Sequence, residues 1–291
     1  MVDHSSPPLT PLSTASLLVR LACIGSVVAV VAGAFAYVNG TLDPQRLRPK
    51  TLVNALETNN GVHPGFRRNH AKGVCVAGYF ESSPEARAYS SAQVFSAAKT
   101  PVIGRFALPS GNPYAPDSSV PIRSFAVQFS QANGQQWRTG MNSMPVFPVG
   151  TPEAFYQMLK AGAPEPATGK PSPASMPAFF AAHPETAPFL AWVKTAKPSA
   201  SYATETYNGI NAFYLVNADG QRQAVRWGVV PQSQDATGDT APPGADFLEK
   251  DLVQRLASGP LRWQLNLTLA NPGDCLLYTS DAADERSSVD L

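Results

Sequence analysis

Cysteine is scarce in this 291-residue sequence, and its three copies, Cys23, Cys75 and Cys275, lie far apart along the chain. Such spacing shows neither a disulfide framework nor the paired thiols of a structural zinc site. A surplus of one charge is also missing, because 22 Lys and Arg residues nearly balance 21 Asp and Glu residues. Nucleic-acid binding needs a basic stripe, so we expect no nucleic-acid partner.

The sequence is richer in apolar residues, at 44%, and in proline, with 28 copies. The apolar content allows one large domain or two small ones. Because proline fixes φ and removes a hydrogen-bond donor, its clusters predict loops and extended crossings between elements. These clusters occupy residues 7–11, 109–121, 164–188 and 242–243.

A long apolar run near the N-terminus has Arg20 as its one charged residue. As a helix, about 21 residues rising ~1.5 Å each span roughly 31 Å, close to the thickness of the bilayer core. We therefore predict an N-terminal tail over residues 1–16, a transmembrane anchor over residues 17–38 and a linker over residues 39–50. Two alternatives stay open, namely a buried helix of a soluble domain and a signal peptide cleaved near Ala36.

Residues 51–274 are predicted to form one domain, in which period-two alternation indicates strands and amphipathic periodicity indicates helices. The predicted strands cover residues 73–79, 102–108, 124–129, 137–139, 212–216 and 224–230. The predicted helices cover residues 51–59, 152–161, 176–183, 186–195 and 246–258. Gly134 and Gly220, each after Asn or Asp, predict hairpin turns between strands. Because most strands are joined by hairpins or meanders, we predict an α+β fold, an antiparallel β-barrel with appended helices.

Five motifs follow one another through this region. They are F-R-R-N-H-A-K-G at residues 66–73, V-I-G-R-F at 102–106, V-P-I-R-S-F-A-V-Q-F at 120–129, R-T-G-M-N-S-M-P-V-F at 138–147 and Y-N-G-I-N-A-F-Y-L-V-N at 207–217. Their identity and order resemble the haem catalases, and most closely the short, membrane-anchored catalase-related peroxidases. The resemblance covers residues 52–274 and implies a catalase-like fold.

The resemblance implies roles for five residues. His70 takes the position of the family's distal histidine and Asn142 that of its distal asparagine, so we expect these two to be catalytic. Arg67 and Arg105 match arginines that bind haem propionates, and Phe147 matches a phenylalanine that lines the haem pocket. The alternatives are ordinary salt bridges for the two arginines and plain core packing for Phe147.

Four further positions carry expectations. Asn69 stands where larger catalases have valine, which predicts a more polar distal pocket. Asn211 stands where several catalases have a histidine near their NADPH site, so we expect no NADPH. Arg123 matches a family arginine to which we assign no catalytic role. Cys75 lies in an alternating run and is predicted to be a buried strand residue rather than a redox thiol.

The resemblance implies a peroxidase that binds haem, with haem b expected, and uses hydrogen peroxide to oxidise small organic donors, with weak catalase activity. The residue types suit this chemistry. A near-neutral imidazole can take the proton from one peroxide oxygen and return it to the other, and an amide donor stabilises developing negative charge. The alternatives are a hydroperoxide isomerase or dehydratase, a non-enzymatic haem-binding module and an inactive fragment.

Two observations bear on the side of the membrane that holds the domain. Arg46, Arg48 and Lys50 follow the apolar run, whereas Arg20 is the one basic residue on its N-terminal side, and this count favours the cytoplasm. The resemblance to exported catalase-like peroxidases favours the periplasmic or extracytoplasmic side, and this is what we expect.

In the family, a C-terminal Arg-x-x-x-Tyr supplies the iron ligand, and this sequence contains no such pair. Asp274 is followed by C-L-L-Y-T-S-D-A-A-D-E-R-S-S-V-D-L, a run without helical or strand period. It resembles the translation of an adapter used in transposase-based sequencing libraries. We therefore expect residues 275–291 to be non-native, the haem domain over residues 51–274 to be incomplete, and the genuine protein to be longer. Tyr278 does not replace the ligand, since Asp274 stands four residues before it.

Overall fold

The computed structural model describes residues 13–42, 46–232, 244–271 and 274, together with the backbone of residues 288–290. The chain divides into two compact units, Met1–Arg48 and Pro49–Leu291.

In the first unit, helix α1 spans Thr14–Val38, and the Ser16 N–H donates to the Ser13 hydroxyl, which caps the first turn. None of its residues is buried, and by length and composition it is apolar enough to cross a membrane. A signal sequence near an N-terminus has the same length and composition. The apolar helix predicted over residues 17–38 is therefore present and begins three residues earlier.

The second unit combines helices with strands. The helices are α2 (Pro49–Asn60), α3 (Pro152–Ala161), α4 (Ser175–Ala182), α5 (Ala187–Thr195) and α6 (Phe247–Ser258). The strands are β1 (Gly73–Phe80), β2 (Thr100–Ala107), β3 (Ser124–Ser130), β4 (Gln136–Asn142), β5 (Tyr207–Asn208), β6 (Phe213–Val216), β7 (Arg222–Pro231), β8 (Trp263–Leu269) and β9 (Ser288–Asp290). Short 3-10 helices lie at Pro84–Ala88, Gln93–Phe95, Asp117–Ser119 and Pro184–Thr186.

The strands form one curled antiparallel sheet in the order β1-β2-β3-β4-β5-β7-β8-β9, and β6 pairs with β7. Gly134 has a φ of 83° between β3 and β4, and Gly220 has a φ of 78° between β6 and β7. Glycine adopts this left-handed conformation without a steric penalty, so both predicted hairpin turns are confirmed. The antiparallel sheet with appended helices is also as predicted.

The main apolar core lies on the inner face of the sheet. Successive residues of a strand point to opposite faces, so each strand sends alternate side chains into this core. The ring of Phe106 on β2 stacks on Phe125 of β3 at 4.2 Å and on Tyr202 at 5.1 Å between centroids. Helix α6 adds Leu248 and Leu252, each 1% exposed. The outer face of the same strands is left for other contacts.

The helices and strands predicted over residues 51–274 are present, with small shifts of their ends. Two strands were not predicted. Strand β5 has two residues and too little pattern to detect, whereas β8 reads W-Q-L-N-L-T-L, an alternation that indicates a strand. Strand β9 pairs with β8, although the run that contains it shows no strand period. Residues 275–287 and 291 lie outside the described residues.

Candidate functional site

The segment before β1 holds His70 in an unusual backbone conformation. Its φ is 53°, and no other non-glycine residue has a positive φ in the part of the chain that the structure describes. The His70 N–H donates to Asn69 Oδ1 at 3.0 Å, and the Ala71 N–H donates to the Ser110 carbonyl oxygen at 2.8 Å. Strained conformations of this kind persist where the surroundings fix them, and they cluster at functional sites. Asn69 thus holds the backbone of its neighbour.

Arg105, on β2, reaches the backbone of the same segment. Its Nη1 donates to the His70 carbonyl oxygen at 2.9 Å, and its Nη2 donates to the Ala71 carbonyl oxygen at 3.2 Å. A guanidinium group has five N–H donors, so these two bonds leave others for a ligand. Arg105 therefore positions His70 and also brings positive charge to it.

Gly73, the first residue of β1, leaves the space that Arg105 occupies. A Cβ at this position would lie 2.3 Å from the Phe106 carbonyl oxygen and 2.8 Å from Arg105 Cζ. Gly73 pairs directly with Ala107 of β2. A side chain here would therefore part the two strands or push the guanidinium group away from the His70 carbonyl.

The register places Asn142 and Arg105 on the same outer face of the sheet. Residues directly opposite one another across β1 to β4 form transverse rows. One row consists of Gly73, Ala107, Ser124 and Asn142, and the next of Cys75, Arg105, Ala126 and Gly140. Asn142 is thus two strands and one row away from Arg105, whose guanidinium group bonds the His70 carbonyl oxygen. Arg105 and Asn142 therefore lie on one face of the sheet, and His70 is tied to that face through Arg105.

The Asn142 side chain has a defined partner. Ser124 Oγ donates to Asn142 Oδ1 at 2.6 Å, and Asn208 Nδ2 donates to the neighbouring Ser143 carbonyl oxygen at 3.2 Å. An amide with its oxygen bound still has two N–H donors. Asn142 can therefore donate to a ligand on the outer face, as its expected role requires.

Small side chains keep this face flat. A Cβ at Gly140 would meet nothing within 4 Å, and Ala126 is exposed. Cys75 is exposed as well, so the prediction that it is buried is wrong. The alternation of β1 is real, but its faces are reversed, because Val74 and Val76 pack against the main core. The result is a surface that suits a broad, flat ligand.

Positive charge surrounds the imidazole of His70. Burial, followed by repulsion from Arg105 and Arg67, lowers the pKa of His70 from its usual 6.5, so the ring is neutral at pH 7. Burial and the charge of Arg67 also lower the pKa of Arg105. Among the described residues, no carboxylate forms an ion pair with either arginine, so ordinary salt bridges do not explain them. Two neighbouring guanidinium groups suit a ligand with two carboxylates.

Phe147 lies in the loop between β4 and α3. Its half-buried ring packs against Phe155 of α3, with 5.6 Å between centroids. Both belong to a second apolar core around Val149, Ala154 and Phe179. The contact with Phe155 shows that Phe147 packs in this second core, and its role in lining a haem pocket stays a prediction.

Lys72 precedes β1 and was not among the predicted site residues. Its Nζ forms ion pairs with Asp117 at 2.7 Å and with Asp246 at 2.8 Å, and it donates to the Ala115 and Ala245 carbonyl oxygens, each at 2.8 Å. All four contacts reach segments distant in sequence, so Lys72 fixes the backbone two residues after His70. The lysine in the motif H-A-K-G was the sequence feature from which this role could have been predicted.

The described residues fit one side of a haem group. A flat outer face, two arginines without carboxylate partners and an amide donor suit its ring, its propionates and its distal ligand. The buried tyrosines do not suit the iron, because burial raises the pKa of Tyr202 and of Tyr207, whereas a tyrosinate ligand must lose its proton. The described residues also contain no cluster of His, Cys, Asp and Glu able to hold a metal ion.

Comparison with known proteins agrees with this arrangement. A sequence model described as Catalase matches residues 42–286. The catalase-related peroxidase of Synechococcus elongatus is 39% identical over 231 residues, which cover 78% of this chain and 68% of that protein. The catalase-related peroxidase of Mycolicibacterium paratuberculosis is 31% identical over 240 residues, which cover 81% of this chain and 75% of that protein. The catalase of Latilactobacillus sakei is 30% identical over 255 residues, and the chain covers 53% of its length.

A solved structure of a bacterial catalase has the same fold. It aligns with a TM-score of 0.62 at 20% identity, over 80% of this chain and 47% of that one. The likeness confirms the catalase-like fold predicted from the sequence. Because the sequence model spans more than half of the residues and the Synechococcus elongatus relative is matched over two thirds of its length, this chain belongs to the catalase family.

Proposed function

We propose that this protein is a haem-dependent peroxidase that uses hydrogen peroxide to oxidise a small organic donor. The observation that carries the proposal is geometric: Arg105 donates to the His70 backbone carbonyl oxygen at 2.9 Å, and Arg105 and Asn142 lie on the same outer face of the sheet. Two relatives that the chain covers by more than two thirds are named catalase-related peroxidases, which favours peroxidase activity, with weak catalase activity beside it.

Haem, when bound, supplies the iron that accepts the oxidising equivalents of peroxide. The protein's own residues handle protons and charge. The neutral His70 imidazole takes the proton from the inner oxygen of hydrogen peroxide and delivers it to the outer oxygen, which leaves as water. Asn142 Nδ2 donates a hydrogen bond to the outer oxygen while negative charge develops there. Because the pKa of His70 is lowered, the base is available at neutral pH.

We also propose which residues hold the haem. Arg67 and Arg105 bind the two propionates through their free N–H groups, and Phe147 lines the edge of the pocket. Haem b is the proposed form of the cofactor. NADPH is not part of the proposal, because Asn211 replaces the histidine expected near such a site and its side chain is exposed.

The location of the domain is a further part of the proposal. We propose that α1 anchors the protein in a membrane and that the haem domain lies on the periplasmic or extracytoplasmic side. The length and apolar composition of α1 support the anchor. Expression of the full chain followed by carbonate extraction and protease protection tests both statements. Release of the protein in soluble form would contradict the anchor. Protection of the domain from added protease until the cytoplasmic membrane is disrupted would contradict the periplasmic or extracytoplasmic location.

The origin of residues 275–291 is proposed from their sequence. We propose that they derive from adapter DNA, which the run C-L-L-Y-T-S-D-A-A-D supports. Sequencing the source locus across the codon for Asp274 tests this. A frame that continues into an Arg-x-x-x-Tyr sequence supports the proposal, and a genomic frame that encodes C-L-L-Y-T-S contradicts it.

The test of the catalytic proposal is His70→Ala in the haem-loaded protein expressed from the source locus. Loss of a general acid and base should lower peroxide turnover by at least ~10²-fold. His63→Ala is the matched control, because His63 contacts the Asn60 carbonyl oxygen at 3.0 Å and the ring of Tyr114. In the described part of the chain, no hydrogen bond or ring contact joins His63 to a proposed site residue. Unchanged turnover in His70→Ala would refute the role of His70.

A further inference from the structure

One buried hydroxyl stands directly behind the proposed amide donor. Ser124 begins β3, is 5% exposed and lies opposite Asn142 in the register of β3 and β4. Its Oγ donates to Asn142 Oδ1 at 2.6 Å, a short distance for a neutral hydrogen bond. No other side chain forms a hydrogen bond with the Asn142 side chain among the described residues.

The backbone of Asn142 is fixed by other means. Strand β4 pairs with β3 on one side and with β5 on the other, where Asn142 lies opposite Asn208. Asn208 Nδ2 also donates to the Ser143 carbonyl oxygen at 3.2 Å. These contacts fix the backbone of Asn142 and do not involve its side-chain amide. Among the described residues, the Ser124 hydroxyl is the one side-chain group bonded to that amide, and it holds the amide with Oδ1 toward β3.

The orientation matters because an amide has two different ends. With Oδ1 bound to the Ser124 hydroxyl, Nδ2 faces away and can donate to a ligand. In the flipped state, Oδ1 would face the ligand and repel an oxygen that gains negative charge. A catalytic donor contributes most when it is already oriented before the charge develops.

We propose that Ser124 is a positioning residue that orients the Asn142 amide so that its N–H groups face the reacting peroxide. The inference rests on the proposed peroxidase function and adds a residue to it. Ser124 touches neither peroxide nor cofactor and acts through Asn142 alone. Its effect should therefore disappear when the Asn142 amide is absent.

The test compares Ser124→Ala, Ser124→Thr, Asn142→Ala and the double variant Ser124→Ala/Asn142→Ala in the haem-loaded protein. Loss of one oriented hydrogen bond should lower kcat about fivefold in Ser124→Ala with little change in KM. Loss of the donor itself should lower kcat by about 10²-fold in Asn142→Ala. Ser124→Thr keeps the hydroxyl and should recover most of the rate. In the double variant, Ser124→Ala should add no further loss to that of Asn142→Ala.

Two measurements besides activity separate positioning from a merely structural role. Cyanide binding to the haem protein should weaken about fivefold in Ser124→Ala, because the Asn142 N–H would no longer be fixed toward the bound anion. In the haem-free protein with ¹⁵N-labelled asparagine, the side-chain NH₂ pair of Asn142, assigned with Asn142→Ala, should shift in Ser124→Ala and return in Ser124→Thr.

The outcomes distinguish the inference from the function on which it rests. A wild-type protein without peroxide turnover overturns the proposed function, while the NMR shift still reports whether Ser124 holds the amide. Turnover and cyanide affinity in Ser124→Ala equal to wild type would overturn the inference. The same follows if the loss from Ser124→Ala is as large in the Asn142→Ala background, because Ser124 would then act by another route.

Discussion

We predict that Gly73→Ala weakens the hydrogen bond from Arg105 to the His70 carbonyl oxygen and lowers both the free energy of unfolding and the peroxide turnover. The added Cβ would lie 2.3 Å from the Phe106 carbonyl oxygen and 2.8 Å from Arg105 Cζ. Ordinary contact begins at 3.4 Å, so β1 and β2 must part by about 1.1 Å at this pair, or the Arg105 side chain must leave. Either response lengthens the bond from Arg105 Nη1 to the His70 carbonyl oxygen, now 2.9 Å.

The magnitude of this effect has two parts. Overpacking of a well-packed site typically lowers the free energy of unfolding by about 1–3 kcal/mol. A shift of about 1 Å in a catalytic group can lower the rate about 10²-fold. We therefore expect Gly73→Ala to remain folded, with reduced stability, and to lose far more turnover than stability.

Gly78→Ala is the matched control, because it lies on the same strand. There the Cβ would meet only Val102 Cγ2, at 3.8 Å, which is an ordinary contact. We expect its stability to remain within about 0.5 kcal/mol of wild type. The assay combines urea unfolding, haem content from the Soret band and initial rates of peroxide-dependent donor oxidation.

Two results would refute this reasoning. If Gly73→Ala matches Gly78→Ala in stability and turnover, the contact between β1 and Arg105 does not position His70. If Gly73→Ala loses stability and keeps full turnover per haem, the strand contact is structural only.

Four further predictions concern charge and space around the site. Because the pKa of His70 is lowered from 6.5, turnover should persist at pH 7 and be lost as the pH falls through the lowered pKa. In a pH–rate profile, Arg67→Gln should move this acidic limb to higher pH, because it removes a positive charge that lowers the pKa of His70. An acidic limb above pH 6.5 in the wild-type protein would contradict the prediction. The unfolded chain also binds this proton more tightly, so His70 makes stability fall as pH drops from 6.5 through the folded pKa. Lys72→Met leaves Asp117, 2% exposed, without its cation and should lower the free energy of unfolding by about 3 kcal/mol, measured with urea; wild-type stability would contradict it. Gly140→Trp adds an indole to the outer face at a position where nothing lies within 4 Å of the Cβ, and haem uptake in a Soret titration should fall. Normal uptake would contradict the flat face as the haem surface.

The sequence was sufficient for most of the helices and strands, and it predicted residue types for the site. Turn residues such as Gly134 and the alternation of β3 are local signals, so they could be recognised without the fold. Which face of a strand is inside is not local, because an alternating run fits either face. Cys75 was therefore placed on the wrong side of β1, although the alternation around it was recognised.

The contacts that hold the site could not be predicted from spacing. The bonds of Arg105 to the His70 and Ala71 carbonyl oxygens require the pairing of β1 with β2 and the positive φ of His70. Ser124 and Asn142 are 18 positions apart and become partners only through the register of β3 and β4. Side-chain to backbone contacts of this kind carry no sequence pattern of their own.

The register of β1 to β4 serves two requirements at once. On each strand, alternate residues fill the apolar core and the others carry the outer face, so Phe106 points inward where Arg105 points outward. A slip of one residue would exchange the two sets, exposing the aromatic rings and burying a guanidinium group. Chains that pair out of register would thus be penalised twice, in burial energy and in charge. The register that fills the core therefore also places Arg105 and Asn142 on the outer face.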